Sequence, residues 1–533
     1  MVSLPKLLTA GNMSNNMRIL LALLPALALC VDASPIVGSQ SYDVYPPTKT
    51  SAPNTAVFPN ESEVGYYGTT ITGAEPMAFQ TAPAQIFPKV QDEFGPLVIP
   101  EASDNAQFSV ITLWGNQGPR YSLPADTFGL ANATPIAPEH CSLTQVHLLF
   151  RHGSRYPSAG EPPILFAERI NAAAANGTFK GTGALEFIND WQYTLGQDIL
   201  NVFGRQLCYE LGVRSRMAYG HLLNNFTEAN ALPVFRTGSQ DRMVETLEAF
   251  GQGFFGRKSE DQFNMVIEIE GAGFNDTEYA AGGGAAIAKF VPIAFNSTAE
   301  RLAPLVSGGY KLTATNALAM LDLCYYETIS LCYSKFCSLF TEEEFKNSEY
   351  YFDLEFYYGY GPGANTAAAL GKGWVEELVS RLTKTPITVF DSTTNKTLEN
   401  STYMPLNQSI YADATHDAYM SMVYTALNLT EVDKYGSGSL PLTSRPQSQS
   451  CVAGKIVPFN SNFVVQIMSC ANTTEPQLRF IINDAVVRLD ETYAGCSWDA
   501  DGLCPVSQAV DGINERLSEI DFNYACYLNG LPV

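Results

Sequence analysis

Histidine is scarce in this chain of 533 residues, which holds five: His140, His147, His152, His221 and His416. None falls in a His-x-His or His-Glu-x-x-His grouping, and no Asp-rich cluster stands beside them. No catalytic metal or other cofactor is therefore expected. A Gly-Lys-Ser/Thr phosphate loop is missing, and Ser154 does not sit in a Gly-x-Ser-x-Gly elbow, which argues against a serine hydrolase. Basic residues are few as well. Thirty-one Lys and Arg stand against 54 Asp and Glu, for a net charge of −23. A general nucleic-acid binder needs a basic face and is excluded; the charge suits a protein that stays dispersed in water. Beyond the N-terminus no apolar run is long enough to span a membrane.

The one marked apolar run is residues 19–29, which follow Arg18 and are too short for an ordinary transmembrane helix. Small residues at Val31-Asp32-Ala33 fit a signal-peptidase site, so residues 1–33 read as a signal peptide cleaved after Ala33. Glycosylation sequons at Asn60, Asn132, Asn176, Asn225, Asn275, Asn296, Asn395, Asn400, Asn407, Asn428 and Asn472 agree with secretion. The expected setting is extracellular, free or held in the cell wall or periplasmic space, and N-glycosylated. Cys30 lies inside the signal segment. The remaining ten cysteines are an even set, which in a secreted chain reads as structural disulfides.

Residues 34–106 are rich in Pro, Ser, Thr and Gly and show little periodicity. They read as an extended arm, suited to a propeptide or to a contact in a homo-oligomer. The rest is too long for one compact core and predicts two domains, with 46% apolar residues to fill them.

The chemistry gathers at Arg151-His152-Gly153-Ser154-Arg155-Tyr156-Pro157. Residues 146–150 before it are short, apolar and β-prone, and read as a buried strand. A small cationic cluster thus stands on the loop at a strand's carboxyl end, where open α/β sheets bind ligands. Two guanidiniums offer planar forks of donors that match phosphate oxygens, and the imidazole between them can act as nucleophile or base. Gly153 lets the backbone approach a ligand closely. Solvated surface arginines are the bland alternative, and a lone Arg-His-Gly would deserve it; seven residues after a strand are far more specific.

Further on, residues 234–236 read as a strand returning to the sheet. A polar loop and a helix follow, with Arg242 in the helix's first turn, where free N–H groups and the dipole also favour an anion. Residues 191–223 read as helices broken by Gly196, Gly204 and Gly212. The stretch 324–345 reads as a Cys-rich helix that ends in Thr341-Glu342-Glu343-Glu344. Residues 374–382 form an amphipathic helix. Residues 409–412 read as a strand, 413–417 as its following loop and 418–427 as a helix. Strands at 463–468, 479–482 and 485–489 follow, the last two forming a hairpin at Asn483-Asp484. His147, inside the first strand, reads as a buried, hydrogen-bonded residue rather than a ligand.

Arg151–Pro157 resembles the RHGxRxP signature of the histidine acid phosphatase family, which includes fungal acid phosphatases and phytases. Phosphoglycerate mutases share the Arg-His-Gly opening, but a secreted, disulfide-rich chain with a His-Asp pair favours hydrolysis. The resemblance covers residues 107–533. Residues 113–119, turn-rich, resemble the Gly-Pro segment that opens the family's catalytic domain. His416-Asp417 resembles its HD motif, in which the histidine binds phosphate and the aspartate protonates the leaving group. Ala418 departs from the asparagine that many phytases carry there. Arg236 and Arg242 match the ends of the family's strand-to-helix R-x-x-x-x-x-R segment; Arg242, rather than Arg236, is expected to touch phosphate.

The resemblance implies a large α/β domain, with a central mixed sheet flanked by helices, built from residues 107–160 and 321–533. A smaller, mainly α-helical domain is inserted at 161–320. It also implies bridges Cys141–Cys470, Cys496–Cys504 and Cys324–Cys337, leaving Cys208, Cys332, Cys451 and Cys526 unassigned. The expected site holds His152 as nucleophile and Asp417 as proton donor. Arg151, Arg155, Arg242 and His416 would bind the phosphoryl oxygens of a small phosphate monoester. Residues 158–163 carry no Lys and one Glu, whereas a phytase needs cations to meet further phosphates. The sequence therefore predicts a broad acid phosphatase ahead of a phytase. A glycosylated surface protein on the same scaffold without catalysis is the remaining alternative, and the full set of six site residues weighs against it.

Overall fold

In the strand Cys141–Arg151 (β1), Val146, Leu148 and Phe150 point into one apolar core, while Leu149 enters another on the opposite face. Both faces are covered, which is why the strand reads as an unbroken apolar run. The computed structural model describes residues 109–528 apart from Arg257, 271–282, 430–431, 433–438 and 448–450. The signal segment, the arm at 34–106 and the sequons at Asn60 and Asn275 lie outside the described residues.

After β1 come helices Pro162–Ala175 (α1) and Val202–Tyr219 (α2), strand Val234–Gly238 (β2), helix Asp241–Phe255 (α3) and strand Asn264–Glu268 (β3). Four helices follow: Gly283–Leu302 (α4), Ala314–Leu331 (α5), Glu342–Gly359 (α6) and Ala367–Thr383 (α7). Strand Ile410–Thr415 (β4), helix Asp417–Ala426 (α8) and strands Asn462–Cys470 (β5), Gln477–Ile482 (β6) and Ala485–Val487 (β7) come next. The short strand Cys504–Pro505 (β8) leads into helix Val506–Ser518 (α9).

The strands form one eight-stranded mixed sheet in the order β8-β6-β5-β1-β4-β2-β3, with β7 paired to β6. Strands β1, β4, β2 and β3 run parallel, and β5, β6, β7 and β8 are antiparallel additions. In register, Arg151 faces Thr415 and Gly238 faces Glu268. All four parallel strands thus end at one sheet edge, and the loops that leave it carry the residues singled out above.

Several expectations need amending. Strand β4 runs to Thr415, so Asp413 is a sheet residue and only His416 separates strand from helix. Gly204 and Gly212 do not break a helix; they lie inside α2. A Cβ at Gly204 would fall 1.9 Å from the Ser154 carbonyl oxygen, and one at Gly212 would fall 2.1 Å from that of Phe250. Their smallness brings α2 against the signature loop and α3. Thr341 opens a helix rather than ending one. Its hydroxyl accepts from the Glu344 N–H, and the Glu344 carboxylate accepts from the Thr341 N–H, a reciprocal cap that fixes the start of α6. The helical insertion expected at 161–320 is interrupted, since β2 and β3 belong to the central sheet. Its helix α4 packs on α5 and α6, so the helical cluster runs past residue 320.

The hairpin of β6 and β7 turns at Asn483 and Asp484, with φ of 45° and 72°, a left-handed pair that Asn and Asp tolerate. Bridges Cys141–Cys470, Cys324–Cys337 and Cys496–Cys504 are formed; Cys208, Cys332, Cys451 and Cys526 stand outside them. His147 is fully buried but makes no hydrogen bond through either ring nitrogen, contrary to expectation. It stacks on Tyr411 with ring centroids 4.6 Å apart, and burial holds it neutral by pushing its pKa well below 6.5.

Burial also pushes the carboxyls of Glu349 and Glu355 on α6 up to about 7. Acids raised in the folded state keep their protons while the unfolded chain loses them, so they favour folding at low pH. That contribution is complete below the ordinary glutamate range and is lost as pH rises through about 7. His147 and His152, held neutral in the fold, act in the opposite direction, so the glutamate contribution is read from a variant. Relative to the wild type, replacing both glutamates with Gln should raise the calorimetric thermal midpoint more at pH 8 than at pH 5.

Candidate functional site

Arg151 ends β1 fully buried, and its neighbours fix the guanidinium in place. Nη1 donates to the carbonyls of Asn116 and of Val457, the latter at 2.9 Å, and the Phe459 ring lies 4.2 Å beneath the guanidinium carbon. Nη2 stands 2.6 Å from Asp417 Oδ2 as an ion pair, off the line that a hydrogen bond requires. The same Asp417 oxygen accepts from Asn116 Nδ2 at 2.9 Å, and its partner oxygen accepts from the Ala418 N–H. Burial alone would raise the Asp417 pKa. The Arg151 charge, the Asn116 hydrogen bond and the Arg155 charge outweigh it and hold the carboxyl below the usual range.

His152 is pinned at both backbone ends. Its N–H donates to the Thr415 carbonyl at 3.0 Å, and its own carbonyl accepts from the Asn460 N–H at 2.9 Å. Nδ1 lies 2.8 Å from the Gly153 carbonyl oxygen, which can only accept. The ring is therefore the Nδ1–H tautomer with its lone pair on Nε2. Burial first, then the charges of Arg151, Arg242, His416 and Arg155, push its pKa well below 6.5. A neutral imidazole with an unprotonated nitrogen follows.

His416, the residue before α8, sits edge-on to His152 with ring centroids 5.5 Å apart. Its Nε2 lies 2.8 Å from Glu270 Oε2. Glu270 follows β3, and its N–H donates to Ser239 Oγ at 2.8 Å. Burial raises the Glu270 carboxyl, but His416, by charge and hydrogen bond, and then Arg242 hold it below its ordinary value. Arg155 ion-pairs with Glu161 at 3.0 Å, donates to the Tyr156 carbonyl at 2.9 Å and leaves Nε buried without an acceptor. Arg242, in the first turn of α3, is buried and directs Nη1 toward the Asp198 carbonyl at 3.4 Å.

The structure thus brings together His152, Arg151, Arg155, Arg242, His416 and Asp417. Arg236 is placed elsewhere. Its guanidinium is taken by Asp413 at 2.9 Å, Glu377 at 2.5 Å and Glu268 at 3.3 Å, while Arg381 and the Trp374 indole N–H also reach Asp413. That buried cluster lines a cavity of about 250 Å³ that His416 and Glu270 also line. Asn116 and Glu270 were missed by sequence reading. Gly115, at a φ of 54°, was the sole local mark of the tight turn that aims Asn116. Nothing local marks Glu270, whose partner His416 is distant in sequence. Among the described residues, one grouping of His and Cys atoms comes within metal-binding reach, His140, Cys141 and Cys470, and its sulfurs are tied up in the disulfide.

Three buried guanidiniums gathered around a neutral imidazole at the carboxyl edge of a mixed α/β sheet suit an enzyme that handles anionic groups. Residues 142–483 match the histidine phosphatase superfamily (branch 2), and the chain belongs to that superfamily. It is 31% identical over 427 residues to phytase A of Aspergillus oryzae, covering 75% of this chain and 88% of that one. Phytase A of Penicillium oxalicum is 32% identical over 430 residues, with the same coverage. That of Neurospora crassa is 30% identical over 479 residues, covering 78% and 92%. Among solved structures, the phytase from D. castellii superposes with a TM-score of 0.63 at 21% identity, covering 80% of this chain and 90% of that one. The multiple inositol polyphosphate phosphatase of Bifidobacterium longum gives 0.53 at 14% identity, covering 74% and 96%. The chain is a phosphomonoester hydrolase of the histidine acid phosphatase family.

Two kinds of buried charge can be told apart by experiment. Asp413→Asn removes the carboxylate that Arg236 and Arg381 share, and should cost about 3–5 kcal/mol of stability. A denaturant midpoint equal to the wild type would show that the cluster contributes nothing to folding.

Proposed function

We propose that this phosphatase is a secreted phytase, releasing phosphate from myo-inositol hexakisphosphate through a phosphohistidine intermediate. The observation that carries the chemistry is the meeting of a neutral His152 with Arg151, Arg155, Arg242 and His416 at one sheet edge. The relatives named phytase support the inositol phosphate over the broad acid phosphatase that residues 158–163 favoured. In this reading the three guanidiniums and His416 hold the non-bridging oxygens and meet the charge of the transition state. The Nε2 lone pair of His152 attacks phosphorus as the ester oxygen leaves. Asp417 gives that oxygen its proton, and then takes one from the water that splits the phosphohistidine.

Arg151 keeps Asp417 ionised in the unliganded site. A phosphate dianion that engages Arg151 offsets the charge responsible, so proton affinity at Asp417 rises when substrate binds. Activity on the acid side of neutrality follows. Glu270 is the positioning residue for His416 in this scheme.

Secretion rests on the signal-like N-terminus and on the sequons. Asn132, Asn176, Asn225, Asn296, Asn395, Asn400, Asn407, Asn428 and Asn472 are all exposed, as glycan acceptors must be. No helix among the described residues is long and apolar enough to cross a membrane.

His152→Ala should abolish turnover and acid-quenched ³²P-phosphoenzyme while the circular dichroism spectrum is kept; retained turnover would remove the mechanism. Phosphate release from myo-inositol hexakisphosphate should be readily measured beside that from an aryl phosphate. Turnover of the aryl ester alone would leave a broad acid phosphatase. Glu270→Ala should lower kcat/KM by about 30-fold or more, the scale of the roughly 2 kcal/mol or more lost when a buried hydrogen-bonded partner is removed. Glu270→Gln should lose less.

A further inference from the structure

Gly238, the last residue of β2, pairs in register with Glu268, two positions before Glu270. A Cβ built at Gly238 would overlap Glu270 Oε1, fall 2.6 Å from its Cδ and lie 3.4 Å from its Cγ. The three nearest heavy atoms thus belong to one side chain, and the closest two are its carboxylate. The other oxygen of that carboxylate, Oε2, is the one that meets His416 Nε2 at 2.8 Å.

Backbone conformation does not call for a glycine here. Gly238 is a strand residue outside the left-handed region, so alanine suits its backbone. Gly204 and Gly212 differ, because a Cβ there would strike a carbonyl oxygen of packed backbone. At Gly238 the obstacle is the end of a flexible side chain, which can turn away. Glu270, Gly238 and His416 line one cavity of about 250 Å³, which gives the carboxylate a place to go. Carbon and oxygen in contact stand about 3.3 Å apart, so a methyl at 238 forces the carboxylate to withdraw by more than an ångström. Its backbone cannot follow, since the Glu270 N–H is held by Ser239 Oγ at 2.8 Å. The hydrogen bond to His416 is then lost.

We propose that Gly238 is a positioning residue for His416: the space left by its missing side chain seats the Glu270 carboxylate, and filling that space uncouples Glu270 from His416 while the strand is kept. The proposal deepens the proposed function and rests on its reading of His416 as a ligand of the phosphoryl oxygens.

The test is a double-mutant cycle on kcat/KM for an aryl phosphate, using wild type, Gly238→Ala, Glu270→Ala and the double variant. Gly238→Ala should lose about 30-fold or more, as Glu270→Ala does, and should raise the inhibition constant of inorganic phosphate. Added to Glu270→Ala, it should change kcat/KM by no more than about twofold, the scatter of such cycles. Equal losses in both backgrounds, or full activity of Gly238→Ala alone, would overturn the proposal. If Gly238→Ala does not fold, the double variant decides: folding restored by Glu270→Ala supports the seat, and failure of both overturns it. Full activity of Glu270→Ala would instead remove the role given to the Glu270–His416 pair in the proposed function, and this proposal with it.

Discussion

The parallel pairing of β1 with β4 is the constraint on which the site depends. Because Arg151 lies opposite Thr415, the chain leaves both strands at one level, and His152 and His416 face each other edge-on. The His152 N–H bonded to the Thr415 carbonyl continues the ladder by one more rung. Pairing of β2 beside β4 and β3 beside β2 brings Arg242 and Glu270 to the same edge. A shift of one residue in any of these registers would turn the side chains to the opposite face. The antiparallel strands on the other flank carry none of the six site residues, but they bury β1 from the side and hold its end still.

Collecting positive charge in a dry place conflicts with solvation. Three guanidiniums lie buried around one imidazole, inside a protein whose net charge is −23. Two devices hold them there. Some donors are spent on backbone carbonyls, as with Arg151 and Arg155, and some charge is spent on carboxylates that also sit in the site. Desolvation keeps His152 neutral, and every nearby cation adds to it by opposing a positive charge on the ring. The energy that burial costs is thereby converted into a defined protonation state. Asp413 illustrates the contrasting case, in which Arg236 and Arg381 are both taken up by carboxylates of the protein itself.

How much of this was legible in the sequence follows from the range of each interaction. Strand β1, the β6–β7 hairpin and the helix carrying Trp374 were readable because period and turn chemistry are local. The signature loop and His416-Asp417 were readable because each follows a strand. The partners of these residues were not. Asn116 and Glu270 reach their targets only through tertiary packing, and no spacing along the chain encodes that. Glycines in α2 were read as breaks because local propensity penalises them, whereas packing against Ser154 and Phe250 rewards their lack of a side chain. Thr341-Glu342-Glu343-Glu344 was placed at the wrong end of a helix, although a Thr followed three positions later by Glu is a starting signal. His147 was given a hydrogen bond that aromatic stacking replaces.

The bridge between Cys141 and Cys470 spans 329 positions and joins the first residue of β1 to the last of β5. Every strand of the parallel half and the six residues gathered at the sheet edge lie inside that covalent ring, and Asn116 precedes it. A peptide bond cut anywhere within it, in a surface loop of the helical cluster for instance, opens the ring without dividing the molecule. Proteolytic nicking of the native protein would therefore leave one linked species, with the sheet edge and its charges still assembled.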